Sequence, residues 1–553
     1  MDGALPRASR NRGVAVRVPP LHLVALAAYV GVLATELWRL GEQLRANSDV
    51  ASVLLMGNSL AAGTARRPID AVQPAYAWLV DALAWVGHQE VVWTVLPLVI
   101  TWLGLAGIVV SVARVSGGWS AGLALALGVG AAPSVLLTEL APTFHGMAWG
   151  AVGLLGWCTV VIVGRESVSG RALLLSGAAG LLAGAVAASD ALVIVAGLVP
   201  LAAIAAFMYL RTRQRGMLGA FGTLIGGAVV SFTAVHLVMA ATGYSSGLGG
   251  GTTRGIGVQA LAANARVVGR GLLDMANGLP MEPGAGVSWL PLVLAVMLIG
   301  LAAVGICVVV ARHVRGPVAD TRHVARQAHV AYWGVSAVLL LAALFVSNVV
   351  MPGGDSPPGD RLISSERYLT GVFFATVALV PLWPRARPGR MLATTAAAVF
   401  IAASAVRLVS AQSNTDFQPA ASRALPTLAH ALQTRGLTHG YASYWDADAL
   451  RLSSGGALDL LPAEEGTPCG AGPESFCRDL RHSVGGWFTL SAGRSFVVVD
   501  PADTFIPSAP PSSLGTPVET FAVDRFTVFV YSDDVLTRFA TSCAGRADHN
   551  CAG

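Results

Sequence analysis

The chain has 553 residues, 54% of them hydrophobic and 12% charged, about half the charge that soluble domains carry. A mean hydropathy of +0.63 with a net charge of only +5 excludes disorder, which needs low hydrophobicity and high net charge. It also leaves too few charges to cover a string of soluble domains. The strong cations are all arginine and fall between apolar blocks, unlike the basic face of a nucleic-acid binder, and six cysteines are too few for a disulfide scaffold.

A bilayer core about 30 Å thick takes about 20 apolar residues per helix. Taken in chain order, predicted spans lie near 21–38, 91–112, 119–138, 147–164, 172–189, 190–210, 218–241, 288–311, 330–350, 369–384 and 391–410, about eleven in all. The block 172–210 reads as a tight hairpin broken at Ser189–Asp190, the alternative being one long tilted helix with a re-entrant piece. The first span follows Arg7, Arg10, Arg12 and Arg17 and could be a cleaved leader. No clear small-x-small cleavage site follows Leu33, and Glu36–Trp38–Arg39 reads as an interfacial end, so a retained helix is expected.

Arginine placement sets the orientation by the positive-inside bias. Counting alternately from a cytoplasmic basic terminus (1–20), the inside loops hold Arg114, then Arg165 and Arg171, then Arg211, Arg213 and Arg215. After these come Arg312, Arg315, Arg322 and Arg326, and finally Arg385, Arg387 and Arg390. The membrane domain therefore covers 21–410, in a cell membrane. The segments 39–90, 139–146, 242–287 and 351–368 and the tail 411–553 are expected on the extracytoplasmic side.

The first outside segment carries Asn47–Ser48–Asp49 ahead of the amphipathic stretch Ala51–Leu60. A carboxylate at the membrane edge loses solvation and can act as a base near neutral pH, and a divalent cation is another partner of that chemistry. Asp49 serves as well as the cap of a helix starting at Val50. The second outside loop offers Glu139 and His145, an acid and an imidazole suited to proton transfer or phosphate contact, or simply to interfacial anchoring. Asp190, at the hairpin tip, is costly beside lipid unless paired or wet.

The Gly-rich stretch Gly247–Gly251 lacks the GK[ST] of a phosphate loop and reads as a lid or linker. The loop before the tenth span holds Asp360, Arg361, Glu366, Arg367 and Tyr368. Arg361 and Arg367 stand on the side the positive-inside bias depletes. A phosphate is the simplest partner for such a guanidinium fork, pairing with Asp360 or Glu366 being the plainer account.

The tail changes composition. A helix is predicted around 420–435, strands at Ser495–Asp500 and Phe526–Tyr531, and a Pro-rich loop at Ile506–Pro517, giving a small α/β domain. Cys158 and Cys307 lie in spans, while Cys469, Cys477, Cys543 and Cys551 lie in the tail, where disulfides persist outside the cytoplasm. Pairing of sequence neighbours is the first choice among three connectivities, and a metal site at Cys543–His549–Cys551 is the weaker alternative. Tyr441, Tyr444, Trp445 and Trp487 are core residues of that domain or platforms for an acceptor sugar.

This layout resembles the GT-C superfamily of polytopic, polyprenyl-phosphate-sugar-dependent membrane glycosyltransferases. The features that carry the resemblance are Asn47–Ser48–Asp49 after the first helix, Glu139 and His145 between the third and fourth, and Ser189–Asp190. Glu366–Arg367–Tyr368 before a late helix and an outside soluble tail add to it. The resemblance implies a hexosyl- or pentosyltransferase acting on a glycan, lipid or protein acceptor, with Asp49 as base, Glu139 and His145 beside it, and Arg367, Arg361 and Tyr368 at the donor phosphate. Asp49 stands alone here, without the adjacent Asp–Glu pair of the protein mannosyltransferases. No nucleic-acid partner is implied, and no cofactor beyond the divalent cation that Asp49 could hold. A lipid or sugar transporter would show internal repeats and midplane polar residues; no repeat is visible, and His236 is the main polar residue within a span. A non-catalytic envelope-assembly protein on the same layout is the third class.

Overall fold

Uncharged apolar runs of this length fold as helices because in lipid every backbone N–H must be met within its own segment. The computed structural model describes residues 48–63, 74–86, 89–133, 135–136, 145–164, 169–242, 258–279, 288–314, 321–346, 358–383, 386–414, 420–465, 475–479, 487–501 and 509–539. The predicted first span, Glu139, Cys469, Cys543 and Cys551 lie outside the described residues.

In chain order the helices are α1 (Ser48–Ala61), α2 (Pro74–Ala82), α3 (Gln89–Ser116), α4 (Gly118–Val129), α5 (Gly146–Val163), α6 (Gly170–Ala187) and α7 (Val199–Thr212). There follow α8 (Arg215–Ala241), α9 (Val258–Met275), α10 (Trp289–Val314), α11 (Thr321–Val346), α12 (Pro358–Leu379) and α13 (Arg387–Asn414). Among the described residues eight helices are long and apolar enough to cross a membrane; Gly118–Val129 and Arg367–Leu382, both read as full spans from the sequence, are shorter apolar helices. The break at Ser189–Asp190 is real: a turn follows α6, and a π-helical segment, Ile194–Leu198, leads into α7.

Two expectations change. α11 starts at Thr321, nine residues before the predicted span, because its polar first turns have protein partners, as where Arg326 donates to the Val115 carbonyl. α12 starts at Pro358, so Arg361, Glu366, Arg367 and Tyr368 ride on a helix rather than on a loop.

Glycine permits the tightest helix contacts, as expected where dispersion rather than water drives association. A Cβ at Gly184 of α6 would overlap the Ala228 carbonyl of α8, and one at Gly150 of α5 would overlap the Ile100 carbonyl of α3. Trp149 on α5 and Tyr332 and Trp333 on α11 fill the centre, each 1% exposed or less. Hydroxyls here bond across the helices: Tyr332 donates to the Val152 carbonyl at 2.9 Å, and Ser336 donates to the Ala196 carbonyl of the π segment at 2.7 Å. The amphipathic α9 is pinned by Asn264, which donates to the Leu344 and Phe345 carbonyls, and by an ion pair of Asp274 with Arg407 of α13.

The tail forms α14 (Ala420–Thr434), β1 (His439–Ala442), α15 (Tyr444–Ser453), β2 (Asp459–Glu465), β3 (Phe476–Arg478), β4 (Ser495–Val499), β5 (Glu519–Val523) and β6 (Phe526–Tyr531). The sheet order is β3-β2-β1-β4-β6-β5. β1 pairs in parallel with β2 and β4, and the flanking pairs are antiparallel. The central β1 and β4 are buried along their whole length, as parallel strands covered on both faces should be. Gly440 is required on β1, since a Cβ there would stand 2.5 Å from the Phe496 ring.

Candidate functional site

The site forms where the start of α5, the turn after α6 and the first half of α12 come together. Trp149 accounts for part of this. Its ring meets Gly371 so closely that a Cβ there would overlap it, and its indole N–H donates to the Arg367 carbonyl at 3.2 Å. That bond ties the first turn of α5 to α12 at the height of Arg367 and Tyr368.

His145 caps α5 in the left-handed conformation, φ 70° and ψ 9°. Histidine is among the few non-glycine residues enriched there, and such backbone strain tends to persist at functional sites. Its carbonyl accepts from Trp149 N–H at 3.0 Å, closing the first helical turn. Its Nδ1 lies 2.6 Å from Oδ2 of Asp190.

Asp190 in turn is fixed by its own backbone. Its other oxygen, Oδ1, accepts from Leu192 N–H at 3.1 Å, an Asx-type turn, and the residue is 4% exposed. A buried carboxylate needs this kind of satisfaction: one oxygen takes a backbone N–H and the other an imidazole. Nε2 of His145 has no hydrogen-bond partner among the described residues, and the side chain keeps 12% exposure.

Tyr368 lies against the imidazole, ring centroids 4.8 Å apart, and the Arg367 guanidinium carbon stands 5.1 Å from the Tyr368 ring centroid. Tyr76 of α2 completes the surroundings. Its hydroxyl is pushed well above the ordinary tyrosine range, by burial first and then by the Asp190 carboxylate, so it stays a neutral hydroxyl. The arrangement offers a carboxylate-oriented imidazole with one free ring nitrogen, next to a guanidinium stacked on an aromatic ring. Chemically that is a proton donor or acceptor beside an anion clamp.

Of the residues singled out from the sequence, His145, Asp190, Arg367 and Tyr368 converge. Asp49 lies in the first turn of α1, inside the helix rather than capping it from outside, which replaces the expectation of a helix starting at Val50. Arg361 and Glu366 lie along α12. Tyr76 and Trp149 were missed; an isolated aromatic in an outside segment or an apolar helix carries no signal of its own. His236 sits on α8 with its ring 4.4 Å from Phe232. Among the described residues no group of three His, Cys, Asp or Glu side chains could hold a metal ion.

The tail meets the membrane domain at α1. Trp487 donates to the Ser59 hydroxyl at 3.1 Å and carries the Arg451 guanidinium 4.5 Å from its ring centroid. Tyr441, Tyr444 and Trp487 are buried, and Trp445 is 39% exposed, so three of the four tail aromatics are core.

Fold and site together define a helical membrane protein with a small sheet domain seated at one end and a cluster of acid, imidazole and guanidinium groups at helix ends. No family model matches the chain, and no curated protein matches it in sequence. Among solved structures it is similar to the apo oligosaccharyltransferase of Archaeoglobus fulgidus, at 14% identity and a TM-score of 0.46 over 87% of this chain and 69% of that one. It is also similar to ArnT from Cupriavidus metallidurans bound to undecaprenyl phosphate (14% identity, TM-score 0.42, 96% of this chain and 100% of that one). A third likeness is the oligosaccharyltransferase AglB of Archaeoglobus fulgidus in complex with an inhibitory peptide and a dolichol-phosphate (12% identity, TM-score 0.41, 94% of this chain and 77% of that one).

Proposed function

We propose that the chain is a GT-C-type membrane glycosyltransferase that moves a sugar from a polyprenyl-phosphate-linked donor to an extracytoplasmic glycan, lipid or protein acceptor. The observation that supports this most is the convergence of His145, Asp190, Tyr368 and Arg367, from three distant stretches, at one end of the helical bundle. A site at helix ends suits a donor whose tail stays in lipid while its sugar meets a polar acceptor.

The chemistry is displacement at the anomeric carbon. Asp49 takes the acceptor hydroxyl proton, the acceptor oxygen attacks, and the lipid phosphate leaves with the bonding electron pair. Arg367, with Arg361 and Tyr368 further along the same helix, holds the departing phosphate, and Glu139 and Glu366 belong to the same outside surface. The tail is extracytoplasmic, and its Cys477, buried on β3, pairs with Cys469; Cys543 pairs with Cys551.

Purified full-length protein supplied with lipid-linked sugars tests the reading. Wild type transfers sugar, and Asp49→Asn abolishes transfer yet still binds donor. Unchanged transfer by that variant removes Asp49 from the mechanism. No transfer by wild type from any polyprenyl-phosphate sugar, with uptake into proteoliposomes instead, overturns the reading.

A further inference from the structure

The way Asp190 and His145 are bonded assigns them a task that the transfer reading leaves open. Both Asp190 oxygens are engaged, one by Leu192 N–H and one by the imidazole. The carboxylate is thus fixed to accept a proton-bearing Nδ1, and the ring's remaining valence, Nε2, is the atom presented to a ligand. The guanidinium of Arg367 is stacked on the same Tyr368 ring that touches the imidazole.

We propose that His145, oriented by Asp190, is the proton-carrying ligand of the donor's phosphate: its imidazolium binds the phosphodiester and hands the Nε2 proton to the phosphate oxygen that leaves. This rests on the transfer reading and deepens it. As the acceptor oxygen forms its bond to the anomeric carbon with its own electron pair, the carbon–oxygen bond to phosphate breaks and that pair stays on the phosphate oxygen. The acceptor's proton goes to the base, and the Nε2 proton goes to the departing oxygen. A phosphate monoester monoanion and a neutral imidazole remain. The base returns its proton to water and the imidazole regains one, so the cycle closes with no net proton change.

The surroundings favour this partner. The turn after α6 supplies Asp190, α12 supplies Arg367 and Tyr368, α2 supplies the neutral Tyr76 hydroxyl, and α5 supplies Trp149. Arginine stays charged throughout, so Arg367 gives the fixed positive charge and His145 the movable proton.

A short polyprenyl methyl phosphodiester is the probe, because it carries the single negative charge of the donor without a sugar to transfer. H145Q lowers its affinity for the full-length protein in detergent about tenfold, the loss of one charge-assisted contact. D190N, which frees the imidazole to turn, lowers the affinity only while His145 is present, so the double variant binds no more weakly than H145Q alone. Unchanged affinity in H145Q, or additive losses in the double variant, overturns the assignment while leaving the transfer reading in place. Absence of probe binding by wild type overturns both. Unchanged affinity in D190N overturns the assignment even where H145Q fails to fold.

Discussion

The Trp487 indole N–H reaches the Ser59 hydroxyl across 3.1 Å, joining residues 428 positions apart in the chain and seating the tail domain on the helix that carries Asp49. W487F keeps the ring under Arg451 and deletes the donor. It should lower the unfolding free energy of the full chain by about 1 kcal/mol, whereas W487A, emptying a site only 5% exposed, should lower it by about 3–5 kcal/mol. Denaturant unfolding followed by tryptophan-independent circular dichroism distinguishes the two; equal losses would mean that the hydrogen bond is irrelevant to the seating.

Helix packing makes opposite forecasts for two glycines of the membrane domain. Gly184 faces the Ala228 carbonyl so closely that a methyl group must push α6 from α8, whereas Gly222 on α8 has open space around its Cβ position. G184A should cost about 1–3 kcal/mol. G222A should be neutral or stabilise by up to about 1 kcal/mol through helix propensity. Thermal unfolding in detergent reads both, and equal effects would contradict the close contact.

Asp448 of α15 is wholly buried, and its carboxyl oxygens have no hydrogen-bond partner among the described residues. Burial pushes its carboxyl well above the usual carboxylate range; Arg451 opposes the shift and Asp479 adds to it. The stability tied to its neutral form is present below the ordinary carboxylate value and is lost as pH rises through the raised one. D448N removes that loss, so its thermal midpoint should fall less than that of wild type as the solution is taken from about pH 4 to about pH 8. Asp459 works in the opposite sense. His439 and Arg451 hold its carboxyl below the usual range despite burial, so its contribution is present above that range and fades on acidification. Parallel slopes for D448N and wild type would show that Asp448 is not a buried neutral acid.

Orientation is open to labelling. In a background lacking Cys307, an impermeant thiol reagent applied to intact cells should modify S453C, on the exposed side of α15, and should miss Q214C, between α7 and α8. Reaction at Gln214 would place the tail on the opposite side of the membrane.

Much of this architecture could be read from composition because spans announce themselves as long uncharged runs. The break at Ser189–Asp190 was visible for the same reason: a carboxylate interrupts the apolar run. The start of α12 was misread because Pro357–Pro358–Gly359 looks like a turn, yet proline fits the first helical position, where its missing N–H is no loss. In the tail, β4 and β6 show as β-branched and aromatic runs, while β2, with Pro462 inside it and acidic residues at both ends, carries no such run. The His145–Asp190 contact joins positions 45 residues apart. No local pattern encodes that pairing, so the sequence yields both residues without linking them.

The left-handed backbone at position 145 has a consequence for mutational tolerance. Glycine, asparagine and aspartate can take up that turn at little strain, but none of them can hold one nitrogen on Asp190 and offer another about a ring's width away. Glutamine and the β-branched residues fit the turn badly. In a saturation library, survival for folding and survival for activity should therefore separate at this codon: the small turn-formers persist in the first selection and histidine alone in the second.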